Sequence, residues 1–124
     1  VSRHKKFIAF CLKKARKNRI DNYRLAATII KGGRVIAVGV NSNKAGCLID
    51  PLYENKGVHA ELDALCKLSE KQIKGSIMYV AGWSKANNMI TSKPCPKCQE
   101  YMKKFDLKAV YYSMPNGEYE ELTI

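Results

Sequence analysis

The chain has 124 residues and a mass of 14.0 kDa, with 46% hydrophobic and 27% charged residues. That is one domain (1–124) with a core of its own and too apolar a composition for disorder. No run approaches the ~18 apolar residues that span a bilayer, so no membrane partner is expected. The formal net charge is +11, and residues 1–24 hold nine of the 22 basic side chains against one acid, Asp21. Such a field favours a polyanion, against the plainer reading of a solvated helix face.

In chain order, residues 4–18 have helical periodicity. Phe7, Ile8, Cys11, Leu12 and Ala15 form an apolar stripe, with Lys6, Lys13 and Lys17 opposite and Phe10 among them. The three lysines are candidate nucleic-acid contacts; Phe10 is expected to pack against a neighbouring element. The charged start is followed by an apolar run of only six residues. No cleavable leader is read there, and the expected setting is a reducing cytoplasm where cysteines stay thiols or bind metal.

The runs "LAATIIK" (25–31) and "RVIAVGVN" (34–41), separated by Gly32 and Gly33, predict a hairpin. Residues 42–57 carry Pro, Gly, Asn and Asp and read as a long, functional loop. "VHAELDALCKL" (58–68) predicts a helix, which with the first would make Cys11 and Cys66 core thiols. "SIMYVAGW" (76–83) reads as a central strand, and after a loop "QEYMKKF" (99–105) continues a helix whose first turn suits Pro96. "KAVYYS" (108–113) and "EYEELT" (118–123) are the last strands. Only Met114 to Gly117 separate them, too few residues for a crossover, so the terminal edge strand runs antiparallel. The order predicts a three-layer α/β/α fold around a five-stranded mixed sheet. The exposed edge makes a homo-oligomer a candidate assembly.

Two short motifs carry chemistry. His59-Ala60-Glu61 and Pro94-Cys95-Pro96-Lys97-Cys98 each stand at the start of a predicted helix, where unpaired amide donors favour thiolate. Two sulfurs of a C-x-x-C turn and one imidazole make three ligands, His59, Cys95 and Cys98. Structural zinc takes four protein ligands, whereas catalytic zinc keeps a position for water, whose pKa falls to about 7. Glu61, two residues past His59, is placed to accept that water's proton. Two alternatives stand beside this reading: a redox pair, or a closed staple with Cys47 as fourth ligand. Glu61 also suits a helix first turn on dipole grounds alone.

These residues resemble the zinc-dependent cytidine/deoxycytidylate deaminase superfamily, whose signature is H-x-E followed by P-C-x-x-C. The order of elements is similar over almost the whole chain. The resemblance implies the cytidine-deaminase-like fold, one catalytic Zn2+ held by His59, Cys95 and Cys98, Glu61 as general acid/base, and attack of zinc-bound hydroxide at C4 of cytosine. It implies substrate contacts from the Ala60 N–H to the pyrimidine carbonyl and from Asn41, in "GVN", to the sugar, with Asn43 as competitor. Trp83, ending the central strand, is a candidate stacking residue, although nine residues separate Ser84 from Pro94 where AID/APOBEC proteins have S-W-S-P-C.

On substrate, Lys93-Pro94-Cys95 departs from the Glu-Pro-Cys of tRNA adenosine deaminases and favours cytosine. The antiparallel last strand resembles the free-nucleoside branch, while His in place of Cys points the other way, to the deoxycytidylate, tRNA and AID/APOBEC branches. The basic N-terminal segment then points to cytosine in single-stranded DNA or RNA, with free dCMP or cytidine as the alternative pyrimidine substrate. A zinc-stabilised nucleic-acid-binding domain without activity is the non-enzymatic reading.

Overall fold

The computed structural model describes residues 3–18, 23–41, 60–84, 86, 88–94 and 96–122, apart from the side chains of residues 97 and 101. Its elements are α1 (Arg3–Arg16), β1 (Arg24–Lys31), β2 (Arg34–Val40), α2 (Ala60–Leu65), α3 (Glu70–Ile73), β3 (Ile77–Trp83), α4 (Pro96–Met102), β4 (Ala109–Ser113) and β5 (Tyr119–Leu122). The five strands form one sheet in the order β2-β1-β3-β4-β5. β3 is central and runs parallel to β4; the pairs β1–β2, β1–β3 and β4–β5 are antiparallel. This is the mixed α/β architecture expected from the sequence, antiparallel edge strand included.

The hairpin turns on Gly32 and Gly33, both at positive φ (60° and 77°), where a side chain would strain the backbone. Beyond it the register shifts between Ile29 and Ile30, leaving Ile36 as the extra residue on β2. Such a bulge lets Ile36 and Ala37 both pack on the same core.

Strand alternation sends side chains to two cores. Phe7, Ile8, Cys11 and Leu12 of α1 cover Ile30, Tyr79 and Ala81 on one face. Ala60, Leu62 and Leu65 of α2, Ile73 of α3, and Cys98 and Met102 of α4 cover Ala27, Ile29, Met78, Val80 and Val110 on the other. On the α1 side the Cys11 thiol donates to Thr28 Oγ1 (2.9 Å) and the Tyr79 carbonyl (3.2 Å). Burial pushes its pKa up to about 12. Phe7 packs against Tyr79 with the rings tilted by 35° and their centroids 5.2 Å apart. Phe10 is half-buried on the outer side of α1, with the Lys14 ammonium 5.3 Å from its ring centroid.

One expectation about the helices needs correction. The helix over 58–68 ends at Leu65, so Cys66 falls in a turn and is exposed instead of core. The chain then starts a separate short helix, α3. Its Ser69 hydroxyl accepts from the Gln72 N–H while the Gln72 side chain accepts from the Ser69 N–H, a capping box.

α2 sits on the hairpin through a close backbone approach. A Cβ at Gly39 would overlap the Ala60 carbonyl oxygen and the Ala64 amide nitrogen. Asp63 Oδ2 accepts from the Val40 N–H (3.0 Å), and Lys67 donates to the Val38 carbonyl (2.6 Å), so α2 also covers outward-facing groups of the β2 edge. Gly39→Ala should therefore cost about 2 kcal/mol or more by overpacking, read as a lower urea midpoint. Phe7→Ala, which empties part of the opposite core, should cost about 3 kcal/mol in the same titration.

Candidate active site

Glu61 lies in the first turn of α2 and is only 3% exposed. Cys98, in the first turn of α4, is fully buried in the same core. The two meet: the Cys98 thiol and the main-chain N–H of Glu61 both hydrogen-bond its carboxylate. Burial raises the Glu61 pKa above the usual carboxylate value, and these two donors pull it part of the way back. A sulfur and a carboxyl from two different helices thus converge in a place stripped of bulk water.

Glu61 opens onto a cavity of about 360 Å³, lined also by Tyr23, Leu25, Ile90, Thr91, Ser92 and Lys93. That is within the range of small-ligand pockets, roughly 300–1,000 Å³. The wall from Ile90 to Lys93 follows β3 and is clasped to the sheet by two buried serines. The Ser92 hydroxyl donates to the Val80 carbonyl (2.7 Å) and pairs with the Ser113 hydroxyl (2.8 Å), and the Ser113 N–H donates to Ser92 Oγ (2.9 Å). Ser113 Oγ in turn donates to the Ile90 carbonyl (3.0 Å). Opposite, Leu25 leans over Gly82, where a Cβ would overlap its side chain. The sequence holds little sign of this wall, since the residues read as an ordinary loop between a strand and the C-x-x-C helix. A general rule could have found them: ligand crevices in α/β sheets lie beyond the carboxyl ends of the strands.

The other expected site residues are distributed as follows. Ala60, the first residue of α2, is fully buried beside Glu61. Its N–H is one of those a helix start leaves without an intrahelical partner. Asn41 ends the hairpin with its side chain engaged: Oδ1 accepts from the Leu25 N–H and Asn18 Nδ2 (both 2.8 Å), and Nδ2 donates to the Tyr23 carbonyl (2.7 Å). Because an amide nitrogen carries two hydrogens, one is left over from that bond. Trp83 is a correction. Alternation along β3 puts Gly82 on the Leu25 side and turns Trp83 to the α1 side. There its indole N–H donates to the Leu12 carbonyl (2.8 Å) and Arg16 lies 4.6 Å over the ring, so it does not serve as a stacking wall of the cavity.

His59 and Cys95 lie outside the described residues, as do Asn43, Cys47 and Tyr53 of the long loop. In sequence, His59 and Cys95 immediately precede the first residues of α2 and α4, the two helices that bring Glu61 and Cys98 together. A buried thiol beside a carboxyl, with an imidazole and a second thiol flanking in sequence, is a donor chemistry that suits zinc.

Lys6, Lys13 and Lys17 are exposed on or just beyond α1, which packs on the sheet face opposite to Glu61 and Cys98. The structure does not bring these cations together with the cavity.

Comparison with known proteins agrees with this geometry. Among solved structures, a dCMP deaminase from the cyanophage S-TIM5 in apo form is 25% identical, with a TM-score of 0.58 over 92% of this chain and 82% of that one. The same phage's enzyme in complex with dCMP and dUMP is 26% identical, with a TM-score of 0.57 over 88% of this chain and 76% of that one. Acinetobacter baumannii RibD shares the fold at 22% identity and a TM-score of 0.59, over 90% of this chain and 28% of its own. No curated protein matches the chain. The model of the cytidine and deoxycytidylate deaminase zinc-binding region matches residues 1–114, and the chain belongs to that deaminase family.

Proposed function

We propose that this protein is a zinc-dependent hydrolytic deaminase that converts cytosine to uracil in a free pyrimidine nucleotide, with dCMP as the leading substrate. The observation that carries the reading is the buried Glu61 carboxyl in contact with Cys98 on the wall of a nucleotide-sized cavity. Similarity to a phage enzyme solved with dCMP and dUMP supports the choice of substrate. The charge that favoured a polynucleotide from sequence lies on the α1 side of the sheet, so it no longer separates polynucleotide from nucleotide as the substrate.

In this reading Cys98 holds the metal together with His59 and Cys95. Zinc, when bound, is a Lewis acid that makes water a nucleophile near neutral pH. Glu61 takes the proton released as water adds to C4, delivers it to ring N3, and moves a second proton to the departing amine. The balance is cytosine plus water to uracil plus ammonia. Burial keeps bulk water away from the Glu61 carboxyl, so its proton goes to the substrate. The Ala60 N–H holds the pyrimidine carbonyl, and the remaining Nδ2 hydrogen of Asn41 is offered to the sugar.

The decisive assay compares dCMP, deoxycytidine and a cytosine-containing oligonucleotide at low and high salt. Turnover of dCMP with little effect of salt is expected, whereas turnover of the oligonucleotide alone would overturn the substrate. Glu61→Gln should lower kcat about 10³-fold, the scale of a lost general acid/base, with an unchanged melting temperature. Dialysis against a chelator should remove one zinc per chain and the activity together, and Cys98→Ala should fail to recover that zinc by metal analysis.

A further inference from the structure

The outer face of α1 is strongly cationic, and neither the core nor the cavity uses it. Every residue of the segment 3–17 that is not buried in the sheet contact is cationic, except His4, Ala9 and Phe10: Arg3, Lys5, Lys6, Lys13, Lys14, Arg16 and Lys17. No Asp or Glu interrupts this segment. We propose that this face is a docking surface for the phosphate backbone of a nucleic acid, separate from the catalytic cavity and read without regard to base sequence.

Four of the seven cations have a partner at the head group. Lys5 faces Glu118 (3.8 Å), while Lys6, Lys14 and Arg16 lie over the rings of Phe7, Phe10 and Trp83, a contact that leaves their charge in place. Arg3, Lys6, Lys13 and Lys17 are all exposed and are spread along a helix about 21 Å long at 1.5 Å per residue. A row of this length matches a linear polyanion and is too long for the phosphate of one nucleotide. The acids bordering the face lie towards the start of α1: Glu118, just before β5, and Glu121 of β5 beside Tyr111, whose ring stacks on His4. The end of the helix with Lys13 and Lys17 is the less opposed. A lipid surface is the weaker partner, because the apolar stripe that would enter it (Phe7, Ile8, Cys11, Leu12, Ala15) is already buried against the sheet.

Since α1 and the cavity lie on opposite faces, docking there should leave deamination of free nucleotide intact. This is tested with a labelled oligodeoxyadenylate, which offers phosphates and no pyrimidine. Wild-type protein should bind it with a log–log salt slope of about −3, from about −0.7 for each of four phosphates neutralised. The triple variant Lys6→Glu, Lys13→Glu, Lys17→Glu should bind at least about tenfold more weakly at low salt and turn over dCMP as wild type does. Should that variant melt early, Lys→Gln at the same positions should weaken binding in the same direction. Unchanged binding by the variants, no binding by wild type at low salt, or binding to phosphatidylserine vesicles in preference to the oligonucleotide would overturn the proposal. The binding readouts do not depend on whether dCMP is the substrate.

Discussion

The site depends on two helix starts being pressed against one end of a single sheet face. α2 can sit where it does because residue 39 has no side chain: the Ala60 carbonyl and the Ala64 amide occupy the space a Cβ would need. α4 is held by the crossover between the parallel strands β3 and β4, with Cys98 and Met102 in the same core as Leu62 and Leu65. The contact between Glu61 and Cys98 follows from these two constraints together. A carboxyl buried this deeply would be costly without donors, and its own amide and the thiol supply them. Close helix packing and a buried carboxyl of raised pKa are therefore one feature of the fold viewed at two scales.

Much of this was legible in the sequence, because the signals were local. Two glycines at positive φ mark the hairpin, alternating apolar runs mark the strands, and a prolyl first turn marks α4. The four-residue link Met114–Gly117 was enough to fix the direction of β5. Glu61 and Cys98 were singled out by spacing, and the fold brings them into contact. What could not be read depends on partners distant in sequence. Ser92 and Ser113 look like loop and strand residues until the fold pairs their hydroxyls. Trp83 ends its strand at the expected position, yet one step of alternation decides which face it joins, and the Leu12 carbonyl and Arg16 claim it. Cys66 looked like a core residue only on the assumption that the helix ran past Leu65.

The placement of α1 changes the meaning of the protein's charge. Read along the chain, a basic segment preceding an H-x-E motif suggests a polyanion led into the site. Read in three dimensions, the sheet lies between them. Electrostatic steering acts over about a Debye length, roughly 8 Å at physiological salt, and two packed layers exceed that reach. Charge on α1 can concentrate the enzyme near a polyanion without presenting that polyanion to Glu61. Composition alone could not separate these two effects, because it counts charges without regard to the face they occupy.

The two faces do meet at the C-terminal end of α1. Asn18, just past the helix, donates from Nδ2 to both the carbonyl and Oδ1 of Asn41 (2.8 Å each). The same Oδ1 accepts from Leu25, whose side chain forms part of the cavity wall. Asn41 thus joins α1, β1 and the end of β2, and the amide plane is fixed by donors and acceptors on three sides. An asparagine held this way pays little rotamer entropy on meeting a ligand, because its orientation is set by the fold beforehand. The hairpin that Asn41 anchors also carries the bare position 39, on which the first turn of α2, and with it Glu61, is seated.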